Sequence, residues 1–141
     1  MSGYLLDTNS VSELVRPTPE LRVMEWVDST DEAMLYLSVL TLGEIRKGLG
    51  ALPMSTRRTR LEAWLEADLP TRFAGRIVPV DAAIADRWGS IAADARRTGR
   101  TMPVIDGLLA ATALHHNMTV VSRNADDFQH SRVRVLNPWQ A

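Results

Sequence analysis

The chain has no cysteine, which excludes a disulfide framework, a thiolate metal centre and a cysteine nucleophile. That usage fits a reducing cytoplasm, the expected location. It also has no long hydrophobic run. No stretch approaches the roughly 20 apolar residues of a membrane span, and the N-terminus lacks a basic region leading into an apolar one. The chain therefore reads as soluble and unexported, with no membrane partner. Neither sign of charge dominates: 16 basic against 17 acidic residues leave a net charge of −1. A protein that holds nucleic acid by bulk charge alone is usually clearly basic, so that class is disfavoured. A nucleic-acid enzyme remains open, because a carboxylate-rich site subtracts charge locally while arginines line another face.

What is present is globular. The chain is 45% hydrophobic and 23% charged, enough apolar material for one domain, residues 1–141, with a sizeable core. Tyr4-Leu5-Leu6 reads as an apolar strand that runs into Asp7-Thr8-Asn9. Ser10 with Glu13 three residues later marks a helix start, closed before Pro17. A second helix runs from Thr18 or Pro19 to Ser29, then a strand over 33–38, and Thr41 opens another helix. The stripe Leu61, Trp64, Leu65 and Leu69 predicts a helix from Ser55 to Leu69 that Pro70 ends. Ile77-Val78-Pro79-Val80 is a strand whose proline places it at a sheet edge. Asp81 caps a long helix closed by Gly99, a buried helix follows over 103–115, and strands cover 118–122 and 133–136. Strands separated by helices imply parallel crossovers and a three-layer α/β/α sandwich with a central parallel sheet.

Three acids share one context, after a strand or in the first turn of a helix: Asp7, Glu44 and Asp106. Each has an ordinary structural reading. Asp7 starts a turn, Glu44 completes a capping box with Thr41, and Asp106 complements a helix dipole. Composition argues for more at Asp106 and Asp7, whose neighbours are apolar or small; an ionised carboxylate is costly there unless paired or bound to a metal. Oxygen ligands with no cysteine and no zinc-spaced histidine point to Mg²⁺ or Mn²⁺. Asn124 and Asp126, after the strand ending at Ser122, stand at another strand end and are candidates for the same crevice. Asp127 reads as an ordinary turn residue.

The strings Leu5-Leu6-Asp7-Thr8-Asn9, Thr41-Leu42-Gly43-Glu44, Asp106-Gly107-Leu108-Leu109-Ala110-Ala111-Thr112-Ala113, Val121-Ser122-Arg123-Asn124-Ala125-Asp126-Asp127-Phe128 and Leu136-Asn137-Pro138-Trp139 together resemble PIN-domain proteins. The likeness is to VapC-type toxins, particularly the FitB-like subgroup. It implies a PIN-like fold and a Mg²⁺- or Mn²⁺-dependent endoribonuclease, the toxin of a bacterial VapBC-type pair. Asp7, Glu44 and Asp106 match the family's acids and would be its metal ligands; the fourth acidic position falls on Asn124, with Asp126 as the substitute. Thr8 and Asn9 would orient Asp7 or a metal-bound water. The implied partners are an RNA substrate, a DNA-binding VapB-like antitoxin that inserts a segment into the active-site groove, and a second copy of the chain in a homodimer.

Arg46, Lys47, Arg57, Arg58, Arg60, Arg96, Arg97, Arg100 and Arg123 are candidates for gripping RNA phosphates, and Trp64 and Trp88 for core or interface. The segment from Glu20 to Leu69, read as a helical hairpin, is the candidate antitoxin groove. Three other classes compete, among them a HAD-type phosphatase, which would want a second Asp two residues after Asp7, where Asn9 stands. A receiver-like signalling or interaction domain with a non-catalytic acidic pocket would want an acidic neighbour for Asp7 and a late lysine, but none lies beyond Lys47. A DNA-binding partner subunit of an antitoxin complex is the third.

Overall fold

A computed structural model describes residues 2–140. Five parallel strands form one sheet in the order β3-β2-β1-β4-β5, with β1 at Gly3–Leu6, β2 at Leu35–Ser38, β3 at Ile77–Val78, β4 at Met118–Val121 and β5 at Val135–Leu136. Tyr4 stands opposite Leu35 on one side, and Leu6 opposite Val121 on the other.

Side chains alternate across a strand, and both faces here are covered. Leu6, Leu35, Leu37 and Val121 enter a core with Val11, Ile45, Leu69 and Phe73. Leu5, Val120 and Val78 enter the opposite core with Leu109, Ala110 and Phe128. Burying each large apolar side chain contributes about 1.5–3 kcal/mol, which is why strands open to neither face carry unbroken apolar runs. The first core is roofed by α1 (Thr8–Glu13), α2 (Leu21–Ser29), α3 (Val39–Gly50), α4 (Thr56–Ala63) and α5 (Leu69–Arg72). The second is roofed by α6 (Ala82–Arg97) and α7 (Val104–His116). The expected α/β/α sandwich is the observed fold. Among the described residues, no helix is long and apolar enough to cross a membrane.

From β1 the chain steps outward to β2 and β3, then returns to place β4 and β5 on the other side. Strand order thus reverses between β1 and β4, and in open α/β sheets the crevice at the carboxyl ends of the strands flanking such a reversal is where ligands bind. Asp7 follows β1 and Ser122 follows β4, so both stand at that point.

Several local expectations change. The strand expected over 33–38 begins at Leu35, because Asp31 caps a 3₁₀ turn over Glu32–Met34. The helix expected from Ser10 begins at Thr8 with Asp7 as its cap, so Ser10 and Glu13 form no capping box. Likewise α3 begins at Val39, capped by Ser38. Thr41 and Glu44 are interior residues of that helix rather than its box. Pro70 does not stop the helical path. The turn over Trp64–Asp68 widens, so that the Leu69 N–H reaches back five residues to the Trp64 carbonyl, and Pro70 falls in the first turn of α5, where its missing N–H is no loss. The stretch from Glu20 to Leu69 is not a helical hairpin, because β2 lies inside it. The last strand is shorter than 133–136. The edge position of Ile77-Val78 is as expected, with Pro79 just past its end.

Candidate active site

Asp7 is fixed by its own helix and its neighbour strand. Its N–H extends the β1–β4 ladder by donating to the Val121 carbonyl at 3.1 Å. Its carboxylate Oδ1 accepts from the Ser10 N–H at 2.8 Å and the Ser10 hydroxyl at 2.7 Å, and the neighbouring Ser122 side chain also favours its charged form. Burial nonetheless dominates. Only 7% of Asp7 is exposed, and its pKa is raised, by burial first, against the lowering effect of the Ser122 and Ser10 bonds, with the Glu44 charge adding to the rise.

Glu44 reaches the crevice from the second turn of α3, and the Thr8 hydroxyl donates to its Oε1. Thr8 therefore orients Glu44 rather than Asp7, while Asn9 is exposed on the crevice wall. Asp106 arrives on the first turn of α7. Its carboxyl is pushed up to about 6, first by burial, then by the charges of Asp127, Asp7 and Glu44 in that order. The mutual repulsion of clustered acids thus contributes to the rise, with burial as the larger cause.

Asp127 is the residue that sequence reasoning missed. It sits in a 3₁₀ segment, Ala125–Ser131, whose Phe128 is buried in the second core. That anchor sets Asp127 where its charge acts on Asp106 more strongly than that of Asp7 or Glu44. The signal was the acid immediately before a lone aromatic. Asp126, the expected substitute, is exposed and accepts from the Gln129 side chain at 2.9 Å. Asn124 caps the segment, its N–H donating to the Ser122 hydroxyl oxygen at 3.0 Å; it is exposed and brings no charge.

Among the described residues, none of Asp7, Glu44, Asp106 and Asp127 is in an ion pair with a basic side chain. The charges of Asp127, Asp7 and Glu44 all act on Asp106, and carboxylate oxygens without a cationic partner are the donor type that divalent hard cations take. The four acids do not close into a cage: among the described residues no three His, Asp or Glu side chains are positioned to hold one ion together. Several expected phosphate-gripping residues are committed elsewhere. Arg46 pairs with Glu66 at 2.8 Å, Arg58 bonds the Leu52 carbonyl at 2.9 Å, Arg97 pairs with Asp94 and Arg100 meets His130. Lys47, Arg57, Arg60, Arg96 and Arg123 have no carboxylate partner among the described residues.

Comparison with known proteins bears on the family and the fold. The family model described as "PIN domain" matches residues 4–134. Toxin FitB of Neisseria gonorrhoeae is 39% identical over 96% of this chain and 97% of its own length. VapC ribonuclease Y4jK of Sinorhizobium fredii is 35% identical over 96% and 97%. A solved structure of FitAB bound to an IR36 DNA fragment superposes with a TM-score of 0.90 at 39% identity, covering 96% of this chain and 95% of that one. The matching family model and these relatives show that the chain belongs to the PIN domain family.

Proposed function

We propose that this chain is a metal-dependent endoribonuclease and the toxin of a toxin–antitoxin pair, acting in the cytoplasm. The observation that carries the reading is that Asp7 stands where the strand order reverses, with Glu44 hydrogen-bonded to the adjoining Thr8 and Asp106 in the first turn of α7, and no basic side chain among the described residues pairs with any of the three. Relatives named as a VapC ribonuclease and a FitB toxin, alike over nearly the whole chain, support it.

Asp7 and Asp106, with Glu44 and Asp127 beside them, would hold Mg²⁺ or Mn²⁺, which when bound offsets phosphate charge and lowers the pKa of a coordinated water. Asp7 is preorganised by Ser10 and Ser122, so its carboxylate keeps its position without substrate. Glu44, held by Thr8, would serve as a further ligand or as the base that takes a proton from the attacking water. The burial of Asp7 would strengthen its charge interactions at the scissile phosphate.

The expected antitoxin has a fitting surface. A cavity of about 270 Å³ runs from Thr8 and Glu44 to Val15, Leu61 and Trp64, with Arg57 on its rim. Its apolar wall with an acid at one end suits a segment that carries apolar side chains and a terminal basic one. A FitAB complex that binds DNA, so close in fold, supports a DNA-binding antitoxin partner; a homodimer of this chain completes the proposal.

Incubating the purified protein with RNA tests the activity. Cleavage should stop in EDTA, return with Mn²⁺ or Mg²⁺, and vanish in Asp7→Asn and Asp106→Asn. Undiminished cleavage in EDTA, or in either variant, would refute it.

A further inference from the structure

The terminal string Asn137-Pro138-Trp139 has no place in the chemistry above, yet it is built around one residue at the crevice. Asn137 accepts the Trp139 N–H at 2.9 Å through Oδ1 and donates through Nδ2 to the Arg123 carbonyl at 3.3 Å. Trp139 is buried, and the Arg123 guanidinium carbon stands 5.5 Å from its ring centroid. An exposed cation is thus held over a fixed aromatic face, which restricts its motion without neutralising it. No carboxylate pairs with Arg123 among the described residues.

Beside it lies a cleft of about 470 Å³ between α1 and this C-terminal turn. Asn9, Ser12 and Asn124 line it and can all donate hydrogen bonds. One acid, Glu13, is in the wall, but it is already satisfied: Arg16 donates to both its oxygens, at 3.1 and 3.2 Å, and the Glu20 N–H donates at 2.8 Å. What the cleft offers a ligand is therefore donors and one uncommitted positive charge. It adjoins the acids directly. Asn9 is two residues past Asp7, and the Asn124 N–H bonds the same Ser122 hydroxyl that serves Asp7.

We propose that this cleft is a phosphate subsite for single-stranded RNA, in which Arg123, braced by Trp139 and Asn137, grips a backbone phosphate next to the one being cut. The inference rests on the ribonuclease reading and deepens it. A nuclease with an acidic floor must hold the flanking backbone somewhere off that floor, and arginine suits the task because its planar fork matches phosphate oxygens.

Binding is measured apart from cleavage, in an Asp106→Asn background, by fluorescence anisotropy of a labelled single-stranded oligoribonucleotide over a salt series. Arg123→Ala should weaken binding about tenfold, as expected when a charge-assisted hydrogen bond is removed. It should also reduce the slope of log K against log salt by about 0.7, the signature of a protein that neutralises one phosphate fewer on a single strand. Arg123→Lys should keep the slope and lose part of the affinity. In the otherwise unaltered enzyme, Arg123→Ala should raise KM and leave kcat within about twofold. Trp139→Phe, which keeps a ring, should stay near the parent and guards against a folding artefact. Superimposable affinity and slope for Arg123→Ala overturn the proposal, as does a loss confined to antitoxin binding. RNA binding that depends on Arg123 in a protein that never cleaves with Mg²⁺ or Mn²⁺ supports the subsite and overturns the nuclease reading. No RNA binding by the parent overturns both.

Discussion

Trp88 lies against Gly107 with no room for a side chain between them. A Cβ at residue 107 would stand 2.9 Å from Trp88 Cδ1 and 3.0 Å from Nε1, closer than packed atoms tolerate. Gly107 follows Asp106 in the first turn of α7, and Trp88 belongs to α6. This packing therefore sets how closely α6 approaches the turn that carries Asp106.

Gly107→Ala gains about 1 kcal/mol of helix propensity but meets an overpacking cost of about 1–3 kcal/mol. The cost should win, lowering Tm by a few degrees and cleavage by about tenfold as Asp106 shifts. Trp88→Val withdraws both offending atoms, so Gly107→Ala in that background should be close to neutral. A double-mutant cycle of thermal melts reads the coupling; purely additive effects would dismiss it.

Asp127 and Asp126 are neighbours with opposite expectations. Removing the Asp127 charge removes the largest charge effect on Asp106, so Asp127→Asn should bring the Asp106 carboxyl down toward its ordinary range and depress cleavage. Asp126→Asn, losing only a bond from Gln129, should change neither. Carboxyl carbon NMR titration with a cleavage assay separates them, and equal effects of the two variants would contradict the assignment.

The raised carboxyl of Asp106 also makes stability depend on pH. Its folded value of about 6 exceeds the ordinary 3.8, so the folded state holds this proton more tightly than the unfolded chain. The stabilisation is fully present below about pH 3.8 and is lost as pH rises through 6. Asp7, also raised, acts in the same direction. In EDTA, Asp106→Asn should therefore raise Tm at pH 7 and flatten its dependence between pH 5 and 7. Calorimetry across that range checks it; a Tm lowered at pH 7 would count against a strained carboxylate.

Thr8 tests whether Glu44 must be oriented. Thr8→Val keeps shape and removes the hydroxyl that Glu44 accepts. Loss of such a supporting bond typically costs 10–100-fold in activity or metal affinity. Thr8→Ser should retain most of the rate. If Thr8→Val cleaves like the parent, Glu44 needs no such help.

Much of the fold is legible in the chain itself. Apolar runs such as Leu5-Leu6 and Val120-Val121, each followed by a polar residue, announce parallel strands with their ends at a crevice. The caps are harder to read. Ser10 and Thr41 both look like helix starts, yet Asp7 and Ser38 take those roles, because the helices begin directly where the strands end. Pro70 misleads because a widened turn absorbs it.

The sequence by itself determined the layered α/β architecture, singled out Asp7, Glu44 and Asp106 as candidates, and lacked any thiol or zinc-spaced histidine. Those follow from periodicity and side-chain chemistry, which are local. Only the tertiary structure decided that Asp127 rather than Asp126 acts on Asp106, that Thr8 serves Glu44, and that Trp139 carries Arg123. Each of these depends on which way a buried neighbour turns the chain, and burial is a property of the packed whole.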